Sequence, residues 1–198
     1  RFGKDQNLVT SLDLKLAATD WLDLNYRAAM TYQSIVSQSN QKRLVVNPYG
    51  KARGIDAVPQ AVSNGSYVGN RMSSEFFANF HKTFGDFKVN VLAGTYVRDI
   101  KSRNVGVNAS NLIIEGLFNV SARPGELGGY SNESHTRMFS LYGNVNLNYK
   151  NWANLEFTGR NDKTSVLDPS NNSFFYPGVA ASLVLTDAVP AIKSDIMN

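Results

Sequence analysis

The chain has 198 residues, of which 42% are hydrophobic, 11% aromatic and 18% charged, with 20 Lys plus Arg against 16 Asp plus Glu. That length allows one domain or one slice of a larger one, and the average hydrophobic share excludes a disordered chain. A mean hydropathy of −0.27, with no apolar run of about 18 residues, excludes a membrane-crossing helix but leaves β-strands open. No cysteine is present, so disulfides, Cys-based zinc sites and thiol nucleophiles are excluded. The chain opens Arg1-Phe2-Gly3-Lys4 with neither an initiator Met nor a signal-peptide pattern, and is expected to come from inside a longer or processed protein. Positive charge falls in scattered pairs, Lys42 with Arg43, Lys51 with Arg53 and Lys101 with Arg103. Nucleic acid wants a clustered stripe and is not expected as a partner.

Period-2 alternation then recurs along the chain. In 8–18 the even positions read Leu8, Thr10, Leu12, Leu14, Leu16 and Ala18, against Ser11, Asp13 and Lys15. After Thr19-Asp20-Trp21 the pattern resumes with Leu22, Leu24, Tyr26, Ala28, Met30 and Tyr32 against Asp23, Asn25, Arg27, Thr31 and Gln33. Segment 74–82 sets Phe76, Ala78 and Phe80 against Glu75, Asn79 and His81, and 87–98 sets Phe87, Val89, Val91, Ala93 and Val97 against Lys88, Asn90 and Arg98. The clearest is 137–150, with Phe139, Leu141, Val145, Leu147 and Tyr149 on one side and Ser140, Asn144, Asn146, Asn148 and Lys150 on the other. Segment 154–162 opposes Leu155 and Phe157 to Asn154, Glu156, Thr158 and Arg160, and 175–186 lines up Val179, Ala181, Leu183 and Leu185 behind an entry at Pro177. Seven strands of about 9 to 13 residues are predicted, since a helix would scatter these residues around its circumference.

The links alternate between short and long. Residues 19–21, 84–86 and 151–152 are short enough for tight hairpins. Residues 36–72 and 99–134 exceed the about 12 to 15 beyond which a structureless loop is uncommon and usually functional. Trp21, Phe84, Phe87 and Trp152 gather aromatics at the short-turn end, and Tyr32, Tyr96, Phe139, Phe174 and Phe175 lie near the long-loop end. An amphipathic antiparallel sheet fits either a soluble sandwich or a membrane barrel. Strand length, asymmetric ends and paired aromatic belts favour the barrel, with Lys82 snorkelling at its interface. Seven strands cannot close an even-numbered barrel, so an arc of a larger one is expected.

The run Arg137-Met138-Phe139-Ser140-Leu141-Tyr142-Gly143-Asn144-Val145-Asn146-Leu147-Asn148-Tyr149 begins a recognisable pattern. Gly159-Arg160-Asn161-Asp162, Asn171-Asn172-Ser173 and Phe174-Phe175-Tyr176-Pro177-Gly178-Val179-Ala180-Ala181-Ser182 continue it. Together they resemble the barrel region of SusC/RagA-type TonB-linked outer-membrane transporters of Bacteroidetes. Val189-Pro190-Ala191-Ile192-Lys193-Ser194 resembles that family's periplasmic connection. The likeness covers 137–198, and 1–134 is compatible in style.

The resemblance implies that 1–198 is part of an all-β, antiparallel transmembrane β-barrel of about twenty-two strands. The plug domain and terminal strands of the family pattern have no counterpart in this sequence. It further implies the cell outer membrane, TonB acting through a plug, a SusD-like lipoprotein lid, membrane lipid against the wall, and a glycan or peptide oligomer as cargo. Cargo or plug contacts are expected at Arg27, Asn79 and Arg98, on the non-lipid face, with the long loops supplying recognition.

No chemistry beyond binding is expected: the chain reads as no enzyme, with no cofactor and no metal. His81 and His135 lack a ligand spacing. Arg160-Asn161-Asp162-Lys163 can be drawn as an active-site cluster but reads more simply as a charged strand end. Asp13 and Asp23 resemble a carboxylate pair, yet Lys15 and Arg27 face them, as in a charge-balanced wall. The sequons at Asn64, Asn108 and Asn132 imply exposed loops, and the oxygen-rich 168–172 reads as a turn and not a calcium loop. The alternative class is a soluble β-sandwich that binds carbohydrate. A second layer over Leu12, Tyr26 and Val145 would favour it decisively.

Overall fold

The computed structural model describes residues 2–188. One sheet holds seven strands in the order β1-β2-β3-β4-β5-β6-β7, each beside its sequence neighbours. They are β1 Phe2–Thr19, β2 Leu22–Gln41, β3 Ala61–Phe84, β4 Phe87–Ser110, β5 Gly128–Tyr149, β6 Ala153–Thr164 and β7 Ser173–Leu183. Short helices α1 Pro48–Lys51 and α2 Leu185–Ala188 and two 3-10 turns complete the described elements. The three tight hairpins fall where the short links lie. Gly85 has φ 58°, and in the three-residue link between β5 and β6 Lys150 and Asn151 have φ 47° and 63°, a left-handed pair at the centre of the turn that the Trp152 N–H closes on the Tyr149 carbonyl.

Pairing of β5 with β6 and of β6 with β7 is antiparallel, and it places Val145, Phe157 and Val179 in one row and Leu147, Leu155 and Ala181 in the next. The opposite face carries Tyr142, Arg160 and Tyr176 in register, then Asn144, Thr158 and Gly178. Alternation in the sequence is thus alternation of faces.

The chain divides into two compact units. Unit 1 is Arg1–Val9, Thr31–Arg71 and Ile100–His135. Its core is Val62, Ala109, Leu112 and Ala122, with Phe118 and Val120 packed against them. Gln60, 2% exposed, ties the loops of this unit together. Its Nε2 donates to the carbonyls of Ile114 and Leu117 at 3.0 and 3.1 Å, and its Oε1 accepts from the Gly116 N–H at 3.1 Å. Arg43 donates to the Leu112 carbonyl and Gln38 to that of Phe118. Unit 2 is Thr10–Met30, Met72–Asp99 and Thr136–Asn198. At its hairpins Trp21 meets Phe80 edge-on with ring centroids 5.5 Å apart, and Tyr149 packs on both Phe87 and Trp152.

Three expectations need correction. The expected arc of a transmembrane β-barrel is replaced by an open sheet: β1 and β7 stand at its two ends, and among the described residues neither closes on the other. Transmembrane β-strands of an outer-membrane wall are not supported by the sheet either. β3 and β4 each have 24 residues, over twice the about 9 to 11 of a bilayer crossing, so strand length selects no membrane setting. Much of what reads as long loop is strand, leaving 42–60 and 111–127 as the loops proper, and the sequons at Asn64, Asn108 and Asn132 lie inside β3, β4 and β5. No second layer covers the apolar face among the described residues, where Leu12 and Tyr26 are 49% and 37% exposed. The connection expected at 189–194 lies outside the described residues.

Candidate functional site

The polar face of unit 2 carries one linked chain of side chains, running from β1 to β6. Arg27 on β2 holds Asp13 of β1 at 3.0 Å and Glu75 of β3 at 3.8 Å, and its guanidinium lies 5.1 Å from the Phe77 ring centroid. From the other side the Tyr142 hydroxyl on β5 donates to Glu75 at 2.6 Å. Tyr142 reaches β3 across β4 because Gly94 stands between them: a Cβ there would lie 2.7 Å from the Phe77 Cβ and from the Tyr142 ring. Glycine inside a strand often marks such an approach, and that was the only sign of it in the sequence.

Arg160 on β6 continues the line. It sits 5.9 Å from the Tyr142 ring centroid, pairs with Asp162 at 2.7 Å and donates to Ser140 Oγ at 3.1 Å. Ser140 is fully buried, so this bond spares a hydroxyl the cost of burial without a partner. Burial pushes the Tyr142 phenol well above its ordinary pKa, helped by the hydrogen bond to Glu75. Burial alone would raise Asp162, but the Ser140 hydroxyl and the Arg160 and Arg98 guanidiniums outweigh it and hold the carboxyl below its usual value. Tyr142 is therefore a standing donor and Asp162 a standing anion.

Two of the three expected contact residues belong to this system. Arg27 is its centre on β2, and Arg98 on β4 acts on Asp162 and donates to the Met138 sulfur at 3.5 Å. Asn79 is half-buried on β3, four residues beyond Glu75, and joins none of these bonds. Asp13 and Asp23 do not form a carboxylate pair, because each has its own cation, Arg27 and Lys15. Asp168 caps a turn by accepting from the Ser170 N–H and hydroxyl at 2.9 and 2.6 Å. Among the described residues no group of three or more His, Asp or Glu could hold a metal. Arg27, with its side chain 59% exposed, offers free N–H donors beside the Phe77 face. Such a surface suits ligands rich in hydroxyl and amide oxygens.

No family model matches the chain, and no curated protein matches its sequence. Solved structures do. The chain is similar over 97% of its length to the RagAB peptide transporter, at 15% identity and a TM-score of 0.82. The chain shares its fold with part of that transporter. The RagAB peptide importer in its open-open state gives 96% coverage, 14% identity and a TM-score of 0.83. BauA, the ferric preacinetobactin receptor from Acinetobacter baumannii, gives 90%, 12% and 0.57. The chain spans 21% of each RagAB chain and 28% of BauA, so it corresponds to a fraction of those proteins. At such identities the likeness is one of fold.

Proposed function

We propose that the chain is the cargo-engaging portion of a protein that imports nutrient oligomers, glycan or peptide fragments, at the cell outer membrane. The observation that carries this reading is the likeness to RagAB over 97% of the chain. In this reading the interlocked loops 42–60 and 111–127 capture cargo under a SusD-like lid. The polar face, with Arg27, Asn79 and Arg98, contacts cargo or a neighbouring domain, and TonB supplies the energy. No covalent step is involved. Deleting 42–60 or 111–127 from the full-length protein is expected to abolish oligomer uptake while the protein still reaches its place in the cell. Undiminished uptake after both deletions would overturn the assignment.

One observation favours a second reading, a soluble β-sandwich module that binds carbohydrate. The sheet is open, with β1 and β7 at free edges, and this fits a layer awaiting a second sheet better than it fits a closed wall. That sheet would come from outside the described residues. The module reading requires the isolated chain to be monodisperse without detergent, to melt cooperatively and to bind glycan. The import reading requires aggregation instead, driven by exposed Leu12, Leu14, Leu141 and Val179.

A further inference from the structure

Besides the edges of β1 and β7, the sheet has an unpaired edge inside it. β5 runs for 22 residues and β6 for only 12, and their register begins at Met138 opposite Thr164. One further pair of bonds lies beyond it: the Arg137 N–H donates to the Ser165 hydroxyl and the Arg137 carbonyl accepts from the Ser165 N–H, at 2.8 and 2.9 Å. The chain then leaves through the turn at Pro169–Asn171, and no described strand accompanies the outer part of β5 on that side. Successive residues of a strand turn their N–H and C=O groups to opposite sides. Since Arg137 faces β6, Gly129, Ser131 and Glu133 present three N–H and three C=O groups along the same open side. Neighbouring side chains leave it clear. Tyr130 fills the place that a Cβ would take at Gly106 of β4, and Glu133 reaches Arg103 of β4 at 3.3 Å, so both lean away from the edge. Natural edges are blunted by Pro, Lys or a bulge, yet 128–134 reads Gly-Gly-Tyr-Ser-Asn-Glu-Ser, without Pro or Lys and in unbroken strand. The open groups recur every second residue, about 7 Å apart, which is the repeat of an extended peptide backbone and not of a sugar chain.

We propose that the open edge of β5 at 129–133 binds cargo peptide as an added β-strand, with the main-chain ladder supplying affinity across many peptide sequences. The proposal deepens the import reading by naming extended peptide as the cargo, and it rests on that reading for its biological role. The probe is the capped hexapeptide acetyl-Thr-Val-Gln-Val-Thr-Gln-amide, added to the full-length protein. At about ten times its Kd the peptide is expected to slow amide exchange at Gly129, Ser131 and Glu133 about tenfold. Tyr130 and Asn132, whose amides face β4, keep their rates. Ser131→Pro removes one N–H from the open side, where an edge strand accepts proline. It is expected to weaken calorimetric binding about fivefold or more, the worth of one hydrogen bond, whereas Ser131→Ala keeps both the N–H and the affinity. The peptide backbone supplies a test that needs no protein variant. Methylating every second nitrogen leaves one peptide edge able to pair and preserves binding, and methylating every nitrogen abolishes it. Affinity unmoved by Ser131→Pro, no protection at the three amides, full binding of the fully methylated peptide, or equal protection by maltohexaose would each overturn the proposal. Uptake assays keep the two readings apart. Peptide uptake undiminished by Ser131→Pro leaves import standing and removes the edge site, while peptide bound at the edge of a protein that imports nothing does the reverse.

Discussion

Gln60 is where the two loops of unit 1 can be unlocked by one substitution. Gln60→Met keeps the length and buried volume of the side chain but removes three hydrogen bonds, two to the carbonyls of Ile114 and Leu117 and one from the Gly116 N–H. At about 1 kcal/mol net for each bond, the loss is about 3 kcal/mol, or about a hundredfold in the local opening constant. Amide hydrogen exchange on the full-length protein reads this directly. The reporters are Leu112 and Ile113, because their own acceptors, the backbone carbonyls of Gln60 and Ala122, survive the substitution. Their exchange should accelerate about a hundredfold while β5–β6 amides such as Val145 keep their protection, because local opening need not spread. Exchange at Leu112 and Ile113 within about threefold of the parent would refute the claim that Gln60 holds the loops.

Three further outcomes follow from the polar face and its edge. Gly94→Ala drives a methyl into Phe77 and Tyr142 and should cost about 1 to 3 kcal/mol in denaturant unfolding, the range of overpacked sites. A neutral result would mean that Tyr142 does not lie over β4. Tyr142→Phe and Arg27→Gln both remove a partner of Glu75, so a double-mutant cycle should show coupling of about 0.5 kcal/mol or more, and strict additivity would deny the link. Asp168, held below its ordinary 3.8 by the Ser170 hydroxyl and N–H, stabilises the 168–172 turn above that pH and loses the effect as pH falls through its depressed pKa. The Ser170 amide resonance should therefore shift with a midpoint below 3.8, and a midpoint at or above it would contradict the cap.

Alternation and short turns were legible from the residues because both are local. Leu141 against Tyr142, or Lys150-Asn151 between two strands, carries its meaning within a few positions. The outer halves of β3, β4 and β5 were not legible. Ser63, Gly65, Gly69, Asn104 and Asn132 have turn-like composition, yet a ladder of backbone bonds needs no apolar face to form. Gln60 was invisible for another reason, since its partner Ile114 is 54 residues away. Of the linked polar face, Arg27 and Arg98 stood out in the sequence because charge on the polar side of an alternating strand does. Ser140 and Tyr142 were not singled out, because a buried hydroxyl and a bridging phenol look like any others until Gly94 is seen to make room.

The transmembrane barrel wall failed as an inference because alternation describes the sheet and not what lies against it. An apolar row such as Val145, Phe157 and Val179 is written the same way whether lipid, a second sheet or another chain covers it. Only five apolar side chains are buried among the described residues, Val46, Val62, Ala109, Leu112 and Ala122, all in unit 1. Burying Val46, Val62 and Leu112 is worth about 1.5 to 3 kcal/mol each and each alanine about 0.8 kcal/mol, against a backbone ordering cost of about 1 to 2 kcal/mol for every residue fixed. That core can set the loops of unit 1, but it cannot hold the strands of unit 2, whose polar face contributes exposed ion pairs worth little each. Unit 2 must therefore draw its stability from backbone ladders together with whatever covers the apolar face. Unit 1 carries its own core, and its loops are held by that core together with the three Gln60 hydrogen bonds.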